Sequence, residues 1–393
     1  MCQYLFAAFS LKQDVSEGVT ATQLEAIKRW ERAISLVATQ EMLHLTLVSN
    51  LLSAIGSIPF FGRPNFPQKA KYFPPGVQMA LLPFSSSTLQ HFLYLERPEG
   101  MELQDAPEFE VLAILKPDLP LTDELVPQTQ DFATVGHLYR GIEQGFRHLV
   151  DKYGEKRVFI GPPRAQATQE YFSWPELLPV TDLASAIQAI ETIVEQGEGS
   201  RGDWRHSHYG KFLDIAQEYA DLKQQDPQFE PARSTVAAFV RPPSDPADFV
   251  LITEPHTAAV SELFNACYEV LLQTLLRYFI HGTETGEEQK LLSDIAVNMM
   301  FEAIRPLGTL LTTLPIDIQP TAQTAGPSFE MYRAGYILPH HYSAWIILHE
   351  RFLELAAYSG KLCEGKVVSP TLQSVAASLH TFATQLGAHI AAS

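Results

Sequence analysis

The chain has 393 residues, 46% hydrophobic and 19% charged, the proportions of an ordered globular protein long enough for two or three domains. A formal net charge of −17 argues against a nucleic-acid partner and against an anionic membrane surface, and no apolar run is long enough to span a bilayer or to read as a signal segment. Three widely spaced cysteines, Cys2, Cys267 and Cys363, make neither a disulfide framework nor a zinc motif, so a reducing cytoplasm is the default location.

Residues 1–11 read as the end of a buried helix with no capping residue before it, and no glutamate occurs ahead of Glu17. The chain is organised around the next element, a helix predicted over residues 22–55. Ile27, Trp30, Ile34, Val37, Leu45, Val48, Leu52 and Ile55 fall in one apolar stripe. Leu43 and Leu47 on the opposite side predict cover on more than one face. Glu41 lies within the stripe and His44 at its edge, one turn on. A carboxylate there is costly unless it is charge-compensated or bound to metal. Glu-x-x-His on an inward helix face is a ligand pair of carboxylate-bridged metal sites in helical bundles. The plain alternative is a Glu and a His that are solvated or locally paired.

Gly56 and Pro59 stop this helix. A turn-rich stretch, 57–131, comes next, with clusters such as Phe73-Pro74-Pro75-Gly76 and Lys116-Pro117-Asp118-Leu119-Pro120 and a short helix near residues 87–95. It reads as a long, mostly irregular excursion, either a cover over a site or packing. A helix over 134–152 carries Leu138, Ile142, Gly145 and Leu149 at helical spacing. His137 at its start is more readily a hydrogen-bonded helix-end histidine than a ligand. Residues 158–163 read as a short extended piece and a turn.

The helix predicted over 182–199 is capped by Thr181 or Asp182 and buries Leu183, Ile187, Ile190 and Val194. Glu198 lands at the edge of that stripe, which makes it the preferred second carboxylate, with Glu195 behind it; a solvated helix end is the alternative. Another helix opens at residues 204–209 and runs to 219. His208, with Phe212 and Ile215 after it, is its inward histidine in preference to His206. The string Gly197-Glu198-Gly199-Ser200-Arg201-Gly202 matches a dinucleotide fingerprint by letter but comes after a helix instead of a strand, and Arg201-Gly202-Asp203 is most simply a loop.

Pro242-Pro243-Ser244-Asp245-Pro246 is the clearest boundary. Beyond it helices are predicted over 258–281, 287–313, 342–358 and 370–391, separated by Gly282, the 315–327 stretch and Gly360. The connector Thr324-Ala325-Gly326-Pro327-Ser328-Phe329-Glu330 is placed to cap a pocket. The fold class is therefore all-α. The expected domains are 1–222 with its Pro-rich insertion, a linker over 223–257, and a helical domain over 258–393.

The run Ala38-Thr39-Gln40-Glu41-Met42-Leu43-His44, continued by Leu47-Val48-Ser49-Asn50-Leu51-Leu52-Ser53-Ala54-Ile55-Gly56, resembles the hallmark of the ferritin-like domain family named after the iminophenyl-pyruvate dimer synthases of bisindole pigment pathways such as violacein and rebeccamycin. Gln196-Gly197-Glu198-Gly199 and Ser207-His208-Tyr209-Gly210-Lys211-Phe212 are similar to its later motifs, and Thr324-Ala325-Gly326-Pro327-Ser328-Phe329 resembles the segment C-terminal to the domain in stand-alone bacterial members. The resemblance, which spans about residues 1–219, implies an up-down four-helix bundle with a carboxylate/histidine metal centre between its helices. Carried over residue by residue, it implies Glu41 and His44 as ligands with Glu198 and His208 opposite. Three departures stand out: the first-helix Glu is absent, His137 replaces a Glu, and Arg205 stands where a full second Glu-x-x-His would need a carboxylate. One metal, two or none are the alternatives these leave.

Two carboxylates and two histidines without a thiolate suit iron or manganese better than zinc. The reading is a cytoplasmic, non-haem metal protein performing redox chemistry on a small, amino-acid-derived substrate, with self-association into a homo-oligomer left open. Its alternative is a non-catalytic helical scaffold in which neighbouring side chains satisfy Glu41 and His44; storage or oxygen detoxification is a third.

Overall fold

A computed structural model describes residues 1–68, 78–109, 134–199, 203–242, 249–280, 284–319, 322–332, 340–364 and 369–392. The chain divides into two compact units, one of residues 1–44, 66–158 and 182–232, the other of residues 45–65, 159–181 and 233–393. In chain order the helices of its first half are α1 (Cys2–Ser10), α2 (Ala21–Ala54), α3 (Ser86–Leu95), α4 (Val135–Tyr153), α5 (Glu155–Val158), α6 (Gln169–Phe172), α7 (Leu183–Gly197) and α8 (His208–Gln225). The second half adds α9 (Pro255–Phe279), α10 (Gly286–Met299), α11 (Arg305–Leu311), α12 (His341–Leu362) and α13 (Pro370–Ala392). Phe73–Gly76 of the turn clusters, the 116–120 cluster, most of the expected boundary (243–246), His281, Gly282 and residues 200–202 lie outside the described residues.

Local chemistry sets the ends of the helices that carry the site. Before α2, the Thr20 hydroxyl accepts the Gln23 N–H at 3.2 Å and the Gln23 side chain accepts the Thr20 N–H at 2.8 Å, a reciprocal capping box. At its other end Gly56 takes φ +82°, with the Gly56 N–H on Ser53 O and the Ser57 N–H on Leu52 O, both 3.0 Å. That is a Schellman stop, and only glycine adopts its φ without strain. Thr134, Asp182 and Ser207 cap α4, α7 and α8.

The core of the first unit is drawn from α1, α2, α3 and α8. Tyr4, Ala8, Trp30, Ile34, Phe84, Leu89, Phe92, Phe212 and Tyr219 form one buried cluster, with Trp30 stacked on Phe84 at 5.3 Å and 12°. α3, expected as a minor helix of an irregular excursion, is thus a core element, because Leu89 and Phe92 recur on one face. α4 packs on α7.

Two stripes differ from expectation. On α7 the buried residues are Ala186, Ala189, Ile190, Ile193 and Gly197. Small side chains there let α4 approach closely, since interaxial distance depends on the residues at the contact. On α4 only Gly136 and Phe146 are buried, whereas Ile142 and Leu149 are exposed. The close seating of Gly136 against the Glu198 carboxylate fixes how the start of that helix is rotated.

In the second unit α9 packs against α10 and α12, and α12 against α13. α10 passes into α11 through a π-helical turn, Met300–Ile304. From Leu45 onward α2 buries Leu47, Asn50, Leu51 and Ala54, while Ile55 of the expected stripe is exposed. The Asn50 amide explains the change of face: it donates to Ala167 O at 2.8 Å and Leu178 O at 3.0 Å, and accepts the Ala167 N–H at 2.7 Å. This unit also holds a small parallel sheet in the order β2-β1-β3, formed by β1 (Thr235–Phe239), β2 (Val250–Leu251) and β3 (Thr324–Gly326). Strands of two to five residues carry too little alternation to be read from sequence. Val158, expected to open an extended piece, closes α5 instead.

Candidate metal centre

Glu41 and His44 sit one turn apart on α2, and His208 is the first residue of α8, where the Ser207 cap turns the chain inward. The fourth contributor is Glu96, which caps the C-terminus of α3 and hydrogen-bonds through its N–H to Phe92 O at 3.0 Å. His208 Nδ1 lies 3.2 Å from Glu41 Oε1 and 3.4 Å from Glu96 Oε2, and His44 Nδ1 lies 3.3 Å from Glu41 Oε1. The His208 side chain is wholly buried and that of His44 nearly so; Glu96 and Glu41 keep 13% and 25% of theirs exposed, on the side of a cavity.

These separations are informative. A charge-assisted N–H···O bond contracts to about 2.7–2.9 Å. Neighbouring donors about 2.0–2.2 Å from one shared ion stand about 3.0–3.4 Å apart. Glu41, Glu96 and His208 offer ligand atoms that all lie within 4.8 Å of one another. Neither ring nitrogen of His208 has a well-aligned hydrogen-bond partner among the described residues, although it is buried. Buried imidazole nitrogens without aligned partners are rare, and a bound cation is one way to satisfy them. With two carboxylates, one imidazole and no thiolate, the group fits iron or manganese.

Electrostatics agree. Burial pushes the Glu41 carboxyl up, but the His208 and His44 imidazoles outweigh it and hold the group well below the usual carboxylate range. Burial would lower His208, yet Glu96 and then Glu41 raise it to about 9. The two carboxylates thus favour positive charge at His208, where a proton and a metal ion compete for the same nitrogen.

His44 lies between Gln196 on α7, whose amide oxygen is 3.0 Å from Nε2, and Glu41, which its Nδ1 faces. The His44 and His208 rings stack at 5.4 Å. The Tyr4 hydroxyl donates to Glu96 Oε1. A cavity of about 210 Å³ adjoins the centre, lined by Tyr4, Glu41, Glu96, Leu95, Tyr139 and Ile193 among others.

Of the residues singled out in the sequence, Glu41, His44 and His208 come together. Glu198 is buried and lines the same cavity, but its oxygens accept the Gly136 N–H at 2.6 Å and the Glu99 N–H at 3.2 Å. It thereby compensates the positive N-terminus of α4. A Cβ on Gly136 would come within 2.4 Å of Glu198, so glycine is what admits the carboxylate. Burial, with a smaller contribution from Glu96, raises the Glu198 carboxyl against the opposing Gly136 N–H. His137 and Glu195 are exposed and outside the ligand group. Glu96 was missed, although Leu89, Phe92 and Glu96 repeat the one-face spacing that singles out Glu41.

The Ferritin-like family profile matches residues 1–217, more than half of the chain, and the chain belongs to that family. It is 29% identical to dichlorochromopyrrolate synthase of Lentzea aerocolonigenes over 92% of this chain and 37% of that protein. It is also 29% identical to 2-imino-3-(indol-3-yl)propanoate dimerase of Chromobacterium violaceum over 83% of this chain and 32% of that protein. The chain thus spans about a third of the length of these curated relatives. No solved structure matches it. Among the described residues no helix is long and apolar enough to cross a membrane, and none of the three cysteines is in a disulfide.

Proposed function

We propose that Glu41, Glu96 and His208 hold a non-haem iron or manganese ion and that the chain serves redox chemistry on a small, aromatic, amino-acid-derived substrate. The observation that carries this is the convergence of two carboxylates and a buried, unsatisfied imidazole from three separate elements. The metal, when bound, supplies Lewis acidity, electron transfer and positions open to oxygen or substrate. The chain's own groups do the rest. Glu41 and Glu96 neutralise the ion's charge, His208 completes its donors from the wall of the core, and His44, held by Gln196, orients Glu41. Tyr4, Leu95, Tyr139 and Ile193 line the adjoining cavity and form the binding surface for a flat organic molecule. Glu198 anchors α4, which forms part of that wall.

The substrate class is supported by what the two relatives are named for, a synthase of a chloropyrrolate and a dimerase of an indolyl imino acid. The proposed compartment is the cytoplasm, in keeping with three widely spaced cysteines outside any disulfide. One observation favours the scaffold reading: two imidazoles beside Glu41 already compensate one negative charge. Metal analysis after anaerobic reconstitution with iron(II) or manganese(II) decides between them. About one ion per chain is expected in the wild type, with Glu41→Ala and His208→Ala at background and helicity kept. Background metal in the reconstituted wild type would leave the scaffold.

A further inference from the structure

We propose that Tyr4 is a positioning residue for Glu96, engaging one carboxylate oxygen so that the other is presented to the metal centre. The inference rests on the metal reading above and adds to it how one ligand is oriented. Glu96 divides its two oxygens between two neighbours. Oε1 accepts the Tyr4 hydroxyl, and Oε2 is the oxygen 3.4 Å from His208 Nδ1. A carboxylate with both oxygens free turns about a broad terminal torsion and can meet a cation through one oxygen or through both. A phenol bound to Oε1 removes that freedom and selects binding through Oε2 alone.

Tyr4 is itself held firmly. It is 4% exposed, with its ring edge-on to Phe92 at 4.7 Å and tilted against Phe212 at 5.1 Å. Phe92 also accepts the Glu96 N–H at the end of α3. One turn of α3 therefore locates both the phenol ring and the carboxylate it meets, and the hydroxyl is aimed by packing. The arrangement also gives α1 a part at the centre: the first helix, which carries no glutamate, contributes a phenol that orients another element's carboxylate.

Tyr4→Phe keeps the ring and removes the hydroxyl alone. Its manganese(II) and iron(II) affinities, measured by chelator competition, are expected to fall about 10- to 100-fold, the usual effect of removing a ligand's outer hydrogen bond. The infrared splitting between the antisymmetric and symmetric carboxylate stretches of the metal-loaded protein is expected to narrow as Glu96 gains a two-oxygen mode, which loss of packing alone would not produce. Tyr219→Phe, which removes a hydroxyl from the same buried cluster at a residue outside the cavity lining, is expected to retain wild-type affinity and splitting. A Tyr4→Phe protein with wild-type affinity and splitting overturns the positioning role while leaving the metal centre in place. An equal loss in Tyr219→Phe overturns it as well. A wild type that takes up no metal overturns both this role and the reading it rests on.

Discussion

Each unit contains a glutamate met by two histidines, and the two clusters differ in what remains unsatisfied. On α10, Glu288 Oε1 is 2.6 Å from both His341 Nε2 and His389 Nε2, and Oε2 accepts the Thr285 N–H at 2.6 Å. Burial pushes this carboxyl up, but the Thr285 N–H and then the two imidazoles outweigh it and hold it below the usual range. The cluster ties α10, α12 and α13 together with short bonds to both carboxylate oxygens. Around Glu41 the contacts are longer, a second carboxylate crowds the same imidazole, and among the described residues His208 lacks an aligned partner. Glutamate beside histidine is therefore not in itself the mark of a metal centre. What sets the Glu41 cluster apart is a second carboxylate beside the same imidazole and, among the described residues, no aligned partner for that ring.

The sharpest break would come from metal content. Glu41→Ala is expected to bring bound iron or manganese to background, whereas Glu288→Ala keeps wild-type stoichiometry in elemental analysis. A Glu288 variant that loses the metal would erase the distinction. Next in size is stability. Glu288→Gln is expected to cost about 2 kcal/mol at neutral pH, the scale of hydrogen bonds to a charged group, read from denaturant unfolding. The sign of its pH dependence comes from a folded carboxyl lying below its ordinary 4.5. The contribution is complete above that value and fades as pH falls through the folded value, so the gap between wild type and variant narrows on acidification.

A smaller effect separates Glu198 from the ligand group. Gly136→Ala is expected to cost about 1 kcal/mol through overpacking against the carboxylate, with metal stoichiometry kept. Loss of the ion in this variant would return Glu198 to the candidate ligands. The smallest changes belong to His137→Ala and Glu195→Ala, expected to stay within about 0.5 kcal/mol as exposed substitutions do, with metal content unaltered.

Much of this was legible because one helix carries a strong signal. Glu41 within an apolar stripe and His208 ahead of Phe212 and Ile215 could both be read from periodicity, as could all four long C-terminal helices. Glu96 is hard to read because α3 has only ten residues and stands among turns, where one-face spacing is indistinct from an irregular stretch. Glu198 was found, but the wheel could not show that the Gly136 N–H would claim it. The second half of α2 was misphased because burial there is set by Asn50, whose amide serves backbone groups more than 100 residues away in sequence. Periodicity reports which residues are apolar; it carries no record of which polar group will need a partner from afar.

The most direct test is anomalous diffraction at the metal absorption edge from crystals of the reconstituted protein. The account requires a peak about 2.0–2.2 Å from oxygens of Glu41 and Glu96 and from a ring nitrogen of His208. Density at Glu288 with none between those three side chains would contradict it.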